Sequence, residues 1–223
     1  MPRKSNLRER IVDAAVDLAE QTSWEQVRFF DVAQSLGVGL DDIRQHFREK
    51  EDVIEGWFDR ADTAVLKASA EPGFTELPAR VRLHRLIMTW LEALAGHRRV
   101  TREMIYGRFE PGHVHMQARG LLRVSRTVQW IREGARRDAA FLTRALEETV
   151  LTSIYLATFF YWMHDDSTDS AATRRLLDRL LRAAEWLPSF MFVPERTVHH
   201  LGPVSGEDAE EEVPTSGSSS SAP

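Results

Sequence analysis

The chain has 223 residues, room for one large or two small domains. Its side chains are 43% hydrophobic and 28% charged, ordinary proportions for a globular protein. It has no cysteine, which excludes a disulfide scaffold, a thiolate metal site and a cysteine nucleophile. No apolar run reaches the roughly 18 residues of a membrane span. Met1-Pro2-Arg3-Lys4-Ser5 leads into no apolar stretch of the secretory kind, so the expected compartment is the cytoplasm.

The charge is unevenly placed. Glu207, Asp208, Glu210, Glu211 and Glu212 account for the whole net charge of −5, so residues 1–204 are neutral, with −4 over 1–60 and +4 over 61–204. A nucleic-acid binder generally carries a basic footprint, and the N-terminal segment has no such surplus.

In chain order, Asn6 with Glu9 three residues on has the form of a capping box. Behind it, Ile11, Ala14, Ala15, Leu18 and Ala19 recur at helical spacing. Phe29, Val32, Ala33 and Leu36 predict a short second helix stopped by Gly37. Ile43 and Phe47 mark a third over 40–47, and Val53 to Val65 a longer one ending near Glu71-Pro72-Gly73. After Pro78 come a stripe from Leu83 to Leu94, a short helix over 101–109, a stripe from Leu121 to Ala135 and a long helix over 141–163. The second half of that long helix is apolar nearly all round, so part of it should face its own domain and part another chain or a ligand. Leu177 to Leu187 complete the set. No segment shows strand alternation with hairpin turns, so the expected fold is all-α, with about nine helices. The expected organisation is a helix-turn-helix domain over 1–50, a helical domain over 51–192, and an acidic, serine-rich disordered tail over 199–223.

Three short helices with Leu36-Gly37-Val38-Gly39 between the second and third match a helix-turn-helix unit, whose last helix enters the major groove. The residues Arg10-Ile11-Val12, Ala14-Ala15, Leu18, Asp31-Val32-Ala33, Leu36-Gly37-Val38 and His46-Phe47-x-x-Lys50-Glu51-x-Val53 resemble the DNA-binding domain of TetR-family transcriptional regulators. The resemblance implies an all-α homodimer with a ligand-binding second domain. It also implies that Phe47 packs the base of the recognition helix, that Lys50 meets backbone phosphate, and that the dimer interface lies in 140–187. Within that segment the interface candidates are Val150, Ile154, Tyr161, Leu177, Leu180 and Leu181.

Departures from the family pattern fall where DNA is touched. Arg28 replaces the usual capping threonine, Gly39 the usual serine or threonine, Asp41-Asp42 a small residue and a hydroxyl, and Arg44 an aromatic. Carboxylates repel phosphate, yet they accept from cytosine and suit a helix N-terminus without any DNA. Arg44 can supply a charged phosphate contact. The DNA-binding candidates are Arg28, Gly39, Leu40, Arg44, Gln45, His46 and Lys50, with double-stranded operator DNA as the expected partner.

Ile154-Tyr155-x-Ala157-Thr158-x-x-Tyr161-Trp162-x-x-Asp165-Asp166-Ser167, followed by Thr173 and Leu177-Asp178-Arg179, is also similar to the C-terminal part of the mitochondrial ubiquinone-biosynthesis accessory family. That family has a TetR-like fold without DNA binding and holds an isoprenoid lipid. Trp24 after Ser23 and the altered recognition helix lean the same way.

Candidate pocket residues are Trp57, Met88, Trp90, Met104, Tyr106, Phe109, Trp130, Phe159 and Trp162, with Arg102 or Tyr106 to orient a polar end. Their composition favours an apolar or aromatic effector. Aromatic stripes at helical spacing are more often plain core than a binding site. His113-x-His115 and His199-His200 lack a carboxylate partner at ligand spacing, and no phosphate loop or nucleophile elbow is present, so neither an enzyme nor a metal or cofactor is expected. Trp186 to Val193 is apolar but lacks a basic face, so stable membrane insertion is not expected. The expected function is a ligand-responsive TetR-type repressor. The alternative is a lipid-binding accessory protein on the same fold.

Overall fold

The computed structural model describes residues 6–107, 114–137 and 141–187, with the backbone alone over 114–122 and 141–144. Phe109, His113, the apolar run beyond Leu187, His199-His200 and the acidic tail lie outside the described residues, and of His115 the backbone alone is described. Among the described residues the architecture is all helical. It comprises α1 (Leu7–Gln21), α2 (Phe29–Leu36), α3 (Leu40–His46), α4 (Lys50–Ser69), α5 (Ala79–Glu92), α6 (Arg98–Tyr106), α7 (Val114–Gly134), α8 (Phe141–Trp162) and α9 (Ala171–Ala184).

Local chemistry sets the boundaries. Asn6 caps α1 by accepting from the Glu9 amide at 2.9 Å. Gly37 ends α2 in the left-handed conformation, at φ 65°, which a side chain would strain. Its turn is closed by the Val38 amide on the Ala33 carbonyl at 3.0 Å. The helix expected over 101–109 begins earlier, at Arg98, because a 3-10 turn over 95–97 leads straight into it.

Helices α1 to α3 enclose a small core of Ile11, Ala15, Val32, Ala33, Ile43 and Phe47, all buried. Helix α4 leaves this head and runs into the second domain, so the boundary expected at residue 50 falls at the start of a helix shared by both. Its approach to α1 is close. A Cβ on Gly56 would stand 3.0 Å from Val12 Cγ2 and 3.4 Å from Phe47 Cε1. The second domain packs α4 against α5 and α7, and α5 against α9, with α8 alongside α7 and α9.

Its centre is aromatic. Phe58 and Trp90 stack at 5.7 Å, Tyr155 and Phe159 meet Trp90 edge-on at 5.3 and 5.5 Å, and Trp162 stacks on Phe159 at 6.0 Å. A polar strand crosses this core. Asp62 accepts from Trp90 Nε1 at 2.8 Å, Thr127 Oγ1 at 3.1 Å and Arg123 Nη2 at 2.7 Å. Arg123 also reaches Asp59 at 2.5 Å and Glu55 at 3.4 Å.

Candidate nucleic-acid interface

Helix α3 is anchored by Ile43 and by Phe47, its C-cap, both 1% exposed. Phe47 packs the base of the helix as expected, with the Arg8 guanidinium 5.2 Å above its ring. Arg44, Gln45 and His46 are exposed, as are Gly39 and Leu40 at the start of the helix. These five residues, with exposed Asp41 among them, make up the solvent side of α3, the side a recognition helix presents to the groove. The two aspartates behave differently. Asp42 folds back and accepts from the Gly39 amide at 2.9 Å, so its charge caps α3, whereas Asp41 is exposed. Phe30, at the start of α2, is 59% exposed and escaped the sequence reading, because an apolar residue in an amphipathic helix reads as core.

The cationic groups of two expected DNA contacts donate to backbone carbonyls of their own chain. The Arg28 guanidinium donates to the Glu25 and Val27 carbonyls at 2.5 and 3.2 Å, closing the turn before α2 in place of a side-chain cap. The Lys50 ammonium donates to the Trp24 carbonyl and, at 3.0 Å, to the Glu25 carbonyl, and it lies 4.8 Å above the Trp24 ring. Burial, then the neighbouring Arg28 charge, push the Lys50 ammonium below its usual value.

The candidate pocket residues separate into groups. Trp90, Phe159 and Trp162 belong to the central cluster. Buried Trp57 turns the other way, donating to Thr101 Oγ1 on α6 at 3.0 Å. Buried Met104 lies on α6, and Met88 floors an open groove of about 470 Å³ between α4, α5 and Arg174 of α9. Tyr106 and Trp130 are not brought in, being 47% and 42% exposed. Tyr106 pairs with His164 Nε2 at 3.1 Å, and Arg102 donates to the Met163 carbonyl at 3.2 Å. Trp162 is fully buried, with no hydrogen-bond partner for its Nε1 among the described residues.

The interface candidates divide in the same way. Leu177, Leu181 and Ile154 are buried in their own chain, and Val150 and Leu180 are half-buried against the same core. Only Tyr161, at 47% exposure, points fully outward. It shares that face of α8 with Leu146, Thr149, Ser153, Ala157 and Phe160, a strip the sequence could not separate from the buried one because both are apolar or small.

The segment shared with the lipid-binding family has a structural use here. The Asp165 carboxylate accepts from the Ser167 amide at 2.9 Å, the Thr173 amide at 2.8 Å and Thr173 Oγ1 at 2.5 Å. Ser167 Oγ accepts from the Ala172 amide at 2.9 Å. Together they staple the corner between α8 and α9. These donors hold the Asp165 carboxyl well below the usual carboxylate range, against the opposing effect of burial.

The chain is 52% identical to a TetR transcriptional regulator from Nitrosomonas europaea ATCC 19718, with a TM-score of 0.73 over 81% of this chain and 98% of that one. The chain belongs to the TetR family of transcriptional regulators. A TetR regulator from Rhodococcus sp. RHA1 shares the fold at 16% identity, with a TM-score of 0.56 over 77% of this chain and 93% of that one. The COQ9 family model matches residues 133–187 alone. No curated protein matches the chain. The COQ9-like segment of this TetR-family chain therefore includes the α8–α9 corner stapled by Asp165. Among the described residues no group of His, Asp and Glu could hold a metal ion, and no helix is long and apolar enough to cross a membrane.

Proposed function

We propose that this TetR-family regulator is a homodimeric repressor that binds operator DNA through α3 and is released by an apolar or aromatic effector held in the second domain. The likeness to a TetR transcriptional regulator at 52% identity carries the reading, and Arg44, Gln45 and His46, exposed on the third helix of the helix-turn-helix, are the donors it has to offer a groove. The Asp42 carboxylate is turned back onto the Gly39 amide, and exposed Asp41 is the one carboxylate of α3 left to face DNA, where it can accept from cytosine. The effector's place is assigned to the aromatic centre of Trp90, Phe159 and Trp162, which are packed against one another and must part to admit it.

The test is selection of a site from random duplex DNA by the full-length chain, followed by titration across a salt series. Arg44→Ala is expected to weaken binding on all sequences and to reduce the salt slope by about one. Lys50→Ala is expected to weaken binding with the slope unchanged, because its ammonium is committed to the Trp24 and Glu25 carbonyls. Failure to select any site at low salt would overturn the DNA reading.

Dimerisation is assigned to the outward strip of α8, where Phe160 and Tyr161 flank small Ser153 and Ala157. Ala157→Glu places a charge there and is expected to weaken self-association roughly tenfold, about 1.4 kcal/mol, read by sedimentation equilibrium. An unchanged dimer would move the interface elsewhere. The COQ9 match over 133–187 favours a second reading, a lipid-carrying protein without DNA contacts. Organic extraction of the purified chain tests it, and co-purified isoprenoid lipid beside failed site selection would establish it.

A further inference from the structure

The turn between α1 and α2 is held from both sides of the domain boundary. From the effector domain, Glu103 of α6 accepts from the Trp24 amide at 2.7 Å. Arg99, one turn earlier, binds Glu103 at 2.5 Å and donates to the last carbonyls of α1, Ala19 at 2.7 Å and Glu20 at 2.8 Å. It also pairs with the Glu20 carboxylate at 3.2 Å, which His97 meets at 3.3 Å. A cation on the C-terminal carbonyls of α1 is the favourable end of the helix dipole. From the other side, Lys50, the first residue of α4, grips the Trp24 carbonyl and covers its ring.

One residue thus has its N–H held by the effector domain and its C=O held by the DNA head. The Trp24 ring, 7% exposed, lines a small apolar pocket of about 180 Å³ with Val27, Phe29 and Val53, so the ring is seated among the residues that lead into α2. Arg28 closes the same turn by donating to the Glu25 carbonyl, to which Lys50 also donates. Any displacement of α6 relative to α1 must stretch the Glu103–Trp24 bond or carry Trp24 with it. Trp24 in turn bears on the entry to α2 and the start of α4, the two supports of α3.

Resting on the DNA reading above, we propose that Glu103, oriented by Arg99, is a positioning residue for DNA binding. It holds Trp24 so that α3 is presented to DNA, and it links α6 to operator occupancy. Linkage is reciprocal: if α6 sets the affinity of the head for DNA, DNA bound to the head must alter the stability of α6.

Two measurements on the full-length dimer and its selected operator test this. The first needs no variant. Operator binding is expected to slow amide exchange of 98–106 as well as of 22–28. The second compares operator affinity across variants at a temperature well below each one's unfolding. Glu103→Ala is expected to bind about tenfold more weakly, and Glu103→Gln, whose amide oxygen still accepts from the Trp24 N–H, to stay within about threefold of the wild type. A merely structural Glu103 would lower the unfolding temperature and leave both affinity and operator-dependent exchange untouched. Unchanged exchange in 98–106, or wild-type affinity in Glu103→Ala, overturns the inference while leaving the DNA reading intact. A wild-type chain that selects no operator overturns both.

Discussion

Replacing Arg123 by methionine is expected to cost about 3–5 kcal/mol of folding stability, the scale for breaking one side of a buried ion network. The arginine side chain is 6% exposed and its main partner Asp62 only 9%. Methionine keeps much of the stem's volume, so the loss is one of charge rather than of packing. Three carboxylates, on Glu55, Asp59 and Asp62, lose their common cation at once. Burial already pushes the Asp62 carboxyl up, and Arg123 is the largest influence pulling it back. Without the arginine that carboxyl rises further, and folding then takes up a proton. A group with a raised folded value favours the folded state below its unfolded value and loses that advantage as pH rises through the folded one. The Arg123→Met chain should therefore recover stability as pH falls from 7 toward 5. Urea unfolding at several pH values reads this, and a loss under about 1 kcal/mol at pH 7 would mean that water compensates the network.

Asp165→Ala is expected to cost about 3 kcal/mol, since it leaves the Ser167 and Thr173 amides and the buried Thr173 hydroxyl without their charged acceptor. In a chain of this size that is a fall in unfolding temperature of about 10 °C. Asp165→Asn should lose less at neutral pH, because the amide oxygen can still accept. The acid dependence follows from the depressed carboxyl. A lowered folded value gives stability that is fully present above the unfolded carboxyl, near about pH 4, and is lost as pH falls through the folded value. The gap between wild type and Asp165→Asn should therefore close as pH drops below about 4. A gap independent of pH would show that the carboxylate's charge contributes nothing at this corner. The same change bears on the COQ9 likeness. If the motif serves the α8–α9 corner, Asp165→Asn alters stability and leaves any lipid content unchanged.

The helices were legible because helix formation is written locally. Asn6, Gly37 and Pro78 stand where α1, α2 and α5 are bounded, and each acts on backbone groups within a few residues. Phe47 was legible for a different reason, its place in the His46-Phe47-x-x-Lys50-Glu51 run. Lys50 belongs to the same run, yet its ammonium turns to the Trp24 carbonyl, because an unrelated turn 25 residues earlier offers it acceptors and a ring face. Leu177 and Leu181 read as interface residues beside Leu180, but the helical period sends the first two to the core and leaves Leu180 at its margin.

The amino-acid sequence by itself determined the all-helical class, the helix-turn-helix near the N-terminus and the family. Periodicity, caps and turn residues are short-range properties, and the motif is contained in one stretch from Arg10 to Val53. The tertiary structure alone decided which apolar side chains fill the core and which remain on the outer strip of α8. It also joined Glu103 to Trp24 and Arg123 to Asp62, pairs 79 and 61 residues apart. A carboxylate carries no mark in the sequence of the donor it will meet. Only the packing of α6 on α1 and of α7 on α4 brings the two within hydrogen-bonding distance, and burial there makes the contact strong.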